Sequence, residues 1–236
     1  MKVLIVKNIT REGPGLLVEI LNSHQIRYDV IDLDKGGSFP YPKKYSAIFV
    51  FGGPDSANDT TFKMQEELSR IKETIDAGIP YLGACLGMQT LVKATGGEIY
   101  KNKIKEVGWR DPEGKYFEVE LIDDGKSDPL FVGMQSRLRI FHLHGETVRL
   151  TNRMKLLAIG KYCRNQVVKV GNNAYGIQGH FELTPAMFEE WRTQDPDLIS
   201  LDQKALQDDY VLIKNEYEAT GKQILTNFLR IAKLIH

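Results

Sequence analysis

The sequence predicts an α/β fold: three layers, with a mostly parallel central sheet and helices on both faces. Three observations carry this. Short apolar runs alternate with stretches of helical period through the first hundred residues. The middle of the chain switches to short apolar segments separated by turn residues. From Pro185 onward the pattern is helical and highly charged. A β-α-β-α order with continuous apolar strands is the signature of a parallel sheet covered on both sides.

The elements follow in order. Val3–Val6 is a continuous apolar run that suits a buried strand. After Pro14, the residues Leu17, Ile20, Leu21 and His24 fall at helical spacing. Tyr28–Leu33 and Ala47–Phe51 read as the second and third strands. Met64, Leu68, Ile71 and Ile75 form one stripe of a helix that Gly78 ends. Ile79–Ala84 is the next strand, and Met88, Leu91 and Val92 mark a helix stopped by Gly96-Gly97. Tyr116–Leu121, Leu138–Phe141, Lys155–Ile159, Gln166–Val170 and Ala174–Gln178 read as antiparallel additions, with turns at Asp123-Asp124-Gly125 and Gly171-Asn172-Asn173. Ile224, Phe228, Ile231 and Leu234 give a last amphipathic stripe. The expected organisation is a single domain over residues 1–236, with a core at 1–185 and a helical extension at 186–236.

Composition narrows the function. The 236 residues are 42% hydrophobic and 9% aromatic, enough for a sizeable core without disulfides. Lys plus Arg and Asp plus Glu each number 31, so net charge gives no reason to expect nucleic acid or a membrane as partner. The two cysteines, Cys85 and Cys163, do not make a secreted disulfide framework. The opening Met1–Lys7 is too short for a signal-peptide core or a membrane span. The expected compartment is the reducing cytosol, which keeps a thiol free.

The candidate nucleophile is Cys85. Gly83-Ala84-Cys85-Leu86-Gly87 stands between a buried strand and a helix, the context of a nucleophile elbow. Such a turn lifts the side chain above the sheet and points a helix N-terminus at it, which favours a thiolate. A thiol nucleophile calls for an imidazole, and the imidazole for a carboxylate that fixes its tautomer. Of the five histidines, His24 lies on a helix and His236 is the final residue, which leaves His142, His144 and His180. His180 follows a strand end, where open parallel sheets present reactive groups. Glu182 is two residues on, and in extended chain the two side chains face one side.

These residues resemble a known family. Gly83-Ala84-Cys85-Leu86-Gly87-Met88-Gln89 is similar to the nucleophile motif of class I (triad-type) glutamine amidotransferases, and Gln178-Gly179-His180-Phe181-Glu182 to their His-x-Glu motif. Phe51-Gly52-Gly53-Pro54 resembles their oxyanion loop. Lys105–Trp109, His142–Glu146 and Cys163–Gln166 resemble stand-alone members related to the glutaminase domain of GMP synthase. Departures from the family pattern are Gly179 where an aromatic is common, Phe181 where proline is usual, and Glu146 in place of aspartate. The likeness runs from Met1 to Pro185; the remaining residues carry no recognised motif.

The resemblance implies a flavodoxin-like core and hydrolysis of the glutamine side-chain amide. Cys85 would be the nucleophile, His180 the acid and base, and Glu182 its support. Gly53 and Leu86 would supply oxyanion N–H groups, and Gly52, Gln89 and Gln166 would contact substrate. Trp109 is a core residue that could also wall the pocket. No cofactor and no metal is expected. The expected partners are glutamine or a γ-glutamyl compound, and a synthetase or other ammonia-accepting protein. No G-x-x-x-x-G-K-[ST] loop or acceptor domain is present. Three alternatives stand beside this reading. One is a γ-glutamyl peptidase or hydrolase acting alone. A second is a metal-dependent hydrolase built on His142, His144 and Glu146. The third is a non-catalytic regulatory protein on the same fold.

Overall fold

The computed structural model describes residues 1–236. Along the chain the strands are β1 Lys2–Lys7, β2 Arg27–Asp32, β3 Ala47–Val50, β4 Tyr81–Ala84, β5 Glu98–Gly108 and β6 Val119–Leu121. They continue with β7 Arg137–Leu138, β8 His142–Arg149, β9 Met154–Gly160, β10 Val167–Val170 and β11 Ala174–Ile177. The α-helices are α1 Leu16–Ser23, α2 Phe62–Asp76, α3 Leu86–Ala94, α4 Asp123–Lys126, α5 Pro185–Gln194, α6 Pro196–Ile199 and α7 Gln203–Ile231.

The main sheet has nine strands in the order β2-β1-β3-β4-β11-β10-β9-β6-β7. The first five run parallel and the rest are added antiparallel. Successive side chains of β1 go to opposite faces. Val3 and Ile5 enter a cluster with Leu17 and Leu21 of α1 and Ile224, Leu225 and Phe228 of α7. Leu4 and Val6 enter a second cluster with Met64 and Ile71 of α2 and Met88 and Leu91 of α3. That split is the three-layer arrangement, and it explains why β1 is apolar at every interior position. Thr61 caps α2 and Thr184 caps α5, each side chain accepting a hydrogen bond from the third residue on.

Three parts depart from expectation. Ala174–Ile177, expected among the antiparallel additions, is β11 and pairs in parallel with β4 as the fifth strand of the parallel core, antiparallel only to β10. β5 and β8 form a separate two-stranded antiparallel sheet with an irregularity between Lys101 and Glu106. β5 gives no apolar signal because most of it is exposed and lysine-rich. The strand expected at Leu138–Phe141 is only Arg137–Leu138; Phe141 instead makes a single antiparallel bridge to His180. A third cluster unites Trp109, Phe141 and Leu183 with Phe188 and Trp191 of α5 and Tyr210 and Tyr217 of α7. The segment after residue 185 therefore builds part of two of the three cores. No helix is long and apolar enough to cross a membrane.

Candidate active site

Cys85 follows β4 and caps α3 with backbone angles φ 52 and ψ −108. A positive φ at a side-chain-bearing residue costs on the order of 1–3 kcal/mol and persists only where its surroundings enforce it. Here the Cys85 N–H is held by the Ile177 carbonyl at 2.8 Å, which ties the turn to the end of β11. A Cβ on Gly83 would collide with the backbone of Gly87, so the two glycines let α3 begin directly above the strand. The N–H groups of Gly53 and Leu86 have no backbone acceptor, leaving two donors free near the sulfur. Cys85 is 6% exposed and opens into a cavity of ≈330 Å³ lined also by Glu12, Gly53, Gln89, His144 and Glu146.

His180 and Glu182 are both fully buried. The His180 Nδ1 lies 2.8 Å from Glu182 Oε1, and Glu182 Oε2 accepts the Phe181 N–H at 2.8 Å. Both carboxylate oxygens are thereby engaged, which fixes the ring. The His180 backbone is clamped on Phe141 through two hydrogen bonds of 2.7 and 3.0 Å. Its Nε2 has no partner within the protein. Burial works against a charge on this imidazole, but Glu182 and the neighbouring Cys85 outweigh it and raise the His180 pKa well above the ordinary value. A Cβ on Gly52 would come within 2.8 Å of His180 Cε1 and 3.3 Å of Cys85 Cβ, so the two side chains flank this glycine, while the thiol itself lies 3.7 Å from the Leu143 carbonyl. Such an arrangement can pass a proton between sulfur and ring and hold a negative oxygen beside them.

The other residues singled out in the sequence fall into two groups. Gly53 and Gln89 line the Cys85 cavity, with Gln89 Nε2 donating to the Glu146 carbonyl at 3.2 Å, and Gly52 packs between Glu12, His180 and Cys85. Gln166 does not line it. Its Nε2 donates to Glu106 Oε2 at 2.8 Å and to the Cys163 carbonyl at 3.3 Å, behind β8. Trp109 is a core residue, stacked on Tyr210 at 5.9 Å and edge-on to Phe141. The histidine cluster forms with a different acid from the one expected. Glu106, His142 and His144 bring donor atoms within 4.8 Å of one another, a set that could hold a cation. The Glu146 carboxylate instead accepts from Ser56 Oγ at 2.8 Å. Glu106 is well occupied as it stands. Its Oε2 lies 2.8 Å from His144 Nε2 and its Oε1 accepts the Cys163 N–H at 3.1 Å. Burial opposes its ionisation, yet contacts with His142 and His144 hold its carboxyl below the usual range.

Three site residues have no signal in the sequence pattern. Trp191 of α5 stands edge-on to the His180 ring, with centroids 4.8 Å apart. Tyr217 of α7 donates its hydroxyl to the His180 carbonyl at 3.2 Å and accepts the Leu183 N–H at 3.0 Å. Glu12, in the loop before α1, is 4% exposed beside Cys85 and His180. Trp191 and Tyr217 fall in the helical, charged segment that carries no recognised motif, and Glu12 is one charge in a Gly/Pro turn.

With this geometry in hand, comparisons with known proteins place the chain. A family model, glutamine amidotransferase class-I, matches residues 12–193. The chain is 30% identical over 150 residues to the glutamine amidotransferase-like protein YfeJ of Salmonella typhimurium, covering 61% of this chain and 60% of that protein. It is 30% identical over 146 residues to the glutamine-hydrolyzing GMP synthase of Borrelia garinii, covering 61% of this chain. The chain spans only 25% of that synthase's length. Among solved structures, a glutamine amidotransferase from Thermotoga maritima superposes with a TM-score of 0.85 at 25% identity, covering 99% of this chain and 98% of that one. The protein belongs to the class I glutamine amidotransferase family and is related to the glutaminase domain of GMP synthase.

Proposed function

We propose that the chain, acting as one domain over residues 1–236, hydrolyses the side-chain amide of glutamine and releases ammonia to an acceptor on a partner protein. The observation that carries this reading is a strained Cys85 that opens into a cavity lined also by Gly53, with the buried His180–Glu182 pair at 2.8 Å beside it across Gly52 and the N–H groups of Gly53 and Leu86 unpaired. Cys85 Sγ attacks the amide carbon of glutamine. The oxyanion accepts from Gly53 and Leu86, donors that contribute roughly 2.7–4 kcal/mol each in comparable sites. His180 takes the thiol proton and delivers it to the departing nitrogen from Nε2, because Nδ1–H is committed to Glu182. The same nitrogen then activates water to cleave the γ-glutamyl thioester. Gln89 and Gly52 contact the substrate, and Gln166 acts through Glu106 by bracing β8 behind the cavity.

Support for an ammonia acceptor comes from the relatives: GMP synthases are named as glutamine-hydrolyzing, and this chain matches only part of their length. A second reading has the cavity in its favour. It continues past the sulfur toward Arg11 and Asp195, room that would suit a γ-glutamyl compound larger than glutamine. The test is mass spectrometry of protein quenched during turnover with glutamine and with a γ-glutamyl dipeptide. A γ-glutamyl adduct on the Cys85 peptide with glutamine supports the glutaminase. An adduct with the dipeptide alone moves the function to a γ-glutamyl hydrolase. No adduct and no product with either argues for a regulatory protein.

A further inference from the structure

The proposed mechanism leaves one buried acid beside the candidate triad without a task. Glu12 lies within the loop between β1 and α1 and lines the same cavity as Cys85. Its Oε2 is buried and has no hydrogen-bond partner. That oxygen occupies the space over Gly52, where a Cβ would strike it, on the wall shared by the His180 ring and Cys85. The position is built rather than incidental. Arg11, next in the chain, is paired with Asp195 at 2.7 Å, and the Arg11 carbonyl accepts the Trp191 indole N–H at 3.0 Å. On the other side, the Leu16 N–H bonds to the Glu182 carbonyl at 2.9 Å, an approach that Gly15, at φ +45, leaves open. The loop is thus pinned at both ends against α5 and the His180–Glu182 segment, and the Glu12 carboxyl is delivered into the site.

A second support for the imidazole is not what it provides. Glu182 already holds Nδ1, and the free ring nitrogen is Nε2. A buried carboxyl oxygen without a partner is costly unless something arrives to donate to it. In amide hydrolysis a new donor is created beside Nε2, the departing amine. We propose that Glu12 receives the leaving amine. As His180 gives its Nε2 proton to nitrogen and the C–N bond of the tetrahedral intermediate breaks, an N–H of the resulting ammonia or amine donates to Glu12 Oε2. Cys85 keeps the acyl group as a thioester, and Glu12 neither gains nor loses a proton in the step. The charged groups around it are His180, Glu182, Arg11 and Asp195. Burial is the main cause that pushes the Glu12 carboxyl up to about 7, with His180 pulling the other way, so an ionised acceptor is available from neutral pH upward.

This role rests on the proposed amide hydrolysis, and the test separates the two. Glutamine is compared with the γ-glutamyl p-nitrophenyl ester, whose leaving phenolate carries no N–H. Wild type, Glu12→Gln, Glu12→Asp and Cys85→Ala are assayed across pH on both. The expected result is a loss in kcat/KM for glutamine of about 10- to 100-fold in Glu12→Gln, the range one charge-assisted hydrogen bond supports. Ester turnover stays unchanged, Glu12→Asp recovers part of the loss, and the pH dependence near neutrality is flattened for glutamine only. Equal losses on amide and ester would assign Glu12 to general shaping of the site and overturn the role, as would no loss on either. Absence of Cys85-dependent turnover of both substrates by the wild type would instead remove the proposed hydrolysis itself, and this role with it.

Discussion

The motif-bearing segments and the C-terminal segment make opposite kinds of contribution to one site. Gly83–Gln89 and Gln178–Glu182 announce themselves in the sequence because the proposed chemistry needs particular residues at particular spacings. Residues after Pro185 show only helix and charge, yet Trp191 and Tyr217 from that segment contact the ring and the backbone of His180. The candidate reactive groups are therefore specified locally, and contacts that hold His180 come from elements distant in sequence. A position that only has to be large and apolar, or to reach one carbonyl, leaves no motif.

That contrast can be attacked directly. The largest effect is expected from ending the chain at Ser200. This removes Ile224, Leu225, Phe228 and Leu229, each no more than 1% exposed, from the face that covers β1 and β3. Burial of each such side chain contributes about 1.5–3 kcal/mol, and whole domains are stable by only about 5–15 kcal/mol. The shortened chain should not fold, as read by circular dichroism and by loss of a cooperative melt. A folded, cooperative truncation would make the C-terminal segment an accessory after all. Phe228→Ala is the milder version. It removes a ring in edge contact with Phe49 at 5.0 Å and should cost about 3–5 kcal/mol in urea unfolding.

The motif-bearing half carries a pH-dependent term of its own. Glu67 of α2 is fully buried, and burial pushes its carboxyl from 4.5 up to about 7 despite the hydrogen bond from Asn8. The folded protein then binds more protons than the unfolded chain between those values. Stability must fall as pH rises from about 4.5 to about 7, and the cost stays in full above that. Glu67→Gln should raise stability above neutrality by about 3 kcal/mol and leave it unchanged at pH below the unfolded value. Denaturant titrations at the two ends of the range would check this, and a variant that loses stability at high pH would contradict it.

The smallest change probes the link between the two regions. Tyr217→Phe keeps the ring in its cluster but deletes the hydroxyl that bonds both Leu183 and His180. The left-over buried N–H should cost about 1–3 kcal/mol. If the segment aligns His180, kcat for glutamine hydrolysis should fall while KM stays near wild type. A loss of stability with kcat intact would confine Tyr217 to packing.

Much of the architecture was readable in advance, for a physical reason. Strands buried on both faces, such as Val3–Val6, must be apolar throughout, and helices between them must show a stripe. β5 was not readable because its exposed Lys101, Lys103 and Lys105 carry no burial pattern. The pattern predicts Phe141 inside a strand, but its backbone serves as a two-bond clamp on His180. Among the site residues, the sequence pointed to Cys85, His180 and Glu182 because spacing constrained them. Glu12 was invisible because a glutamate in a Gly/Pro turn is ordinarily solvated. Only the docking of that turn on Glu182 and Trp191 buries it.

A thiol nucleophile at Cys85 is tested by glutamate release from glutamine by the purified chain, wild type against Cys85→Ala, with the protein's fold verified in both. Release by the wild type should disappear in Cys85→Ala. Release that persists in the mutant would contradict a thiol nucleophile at Cys85 and, with it, the site described for this protein.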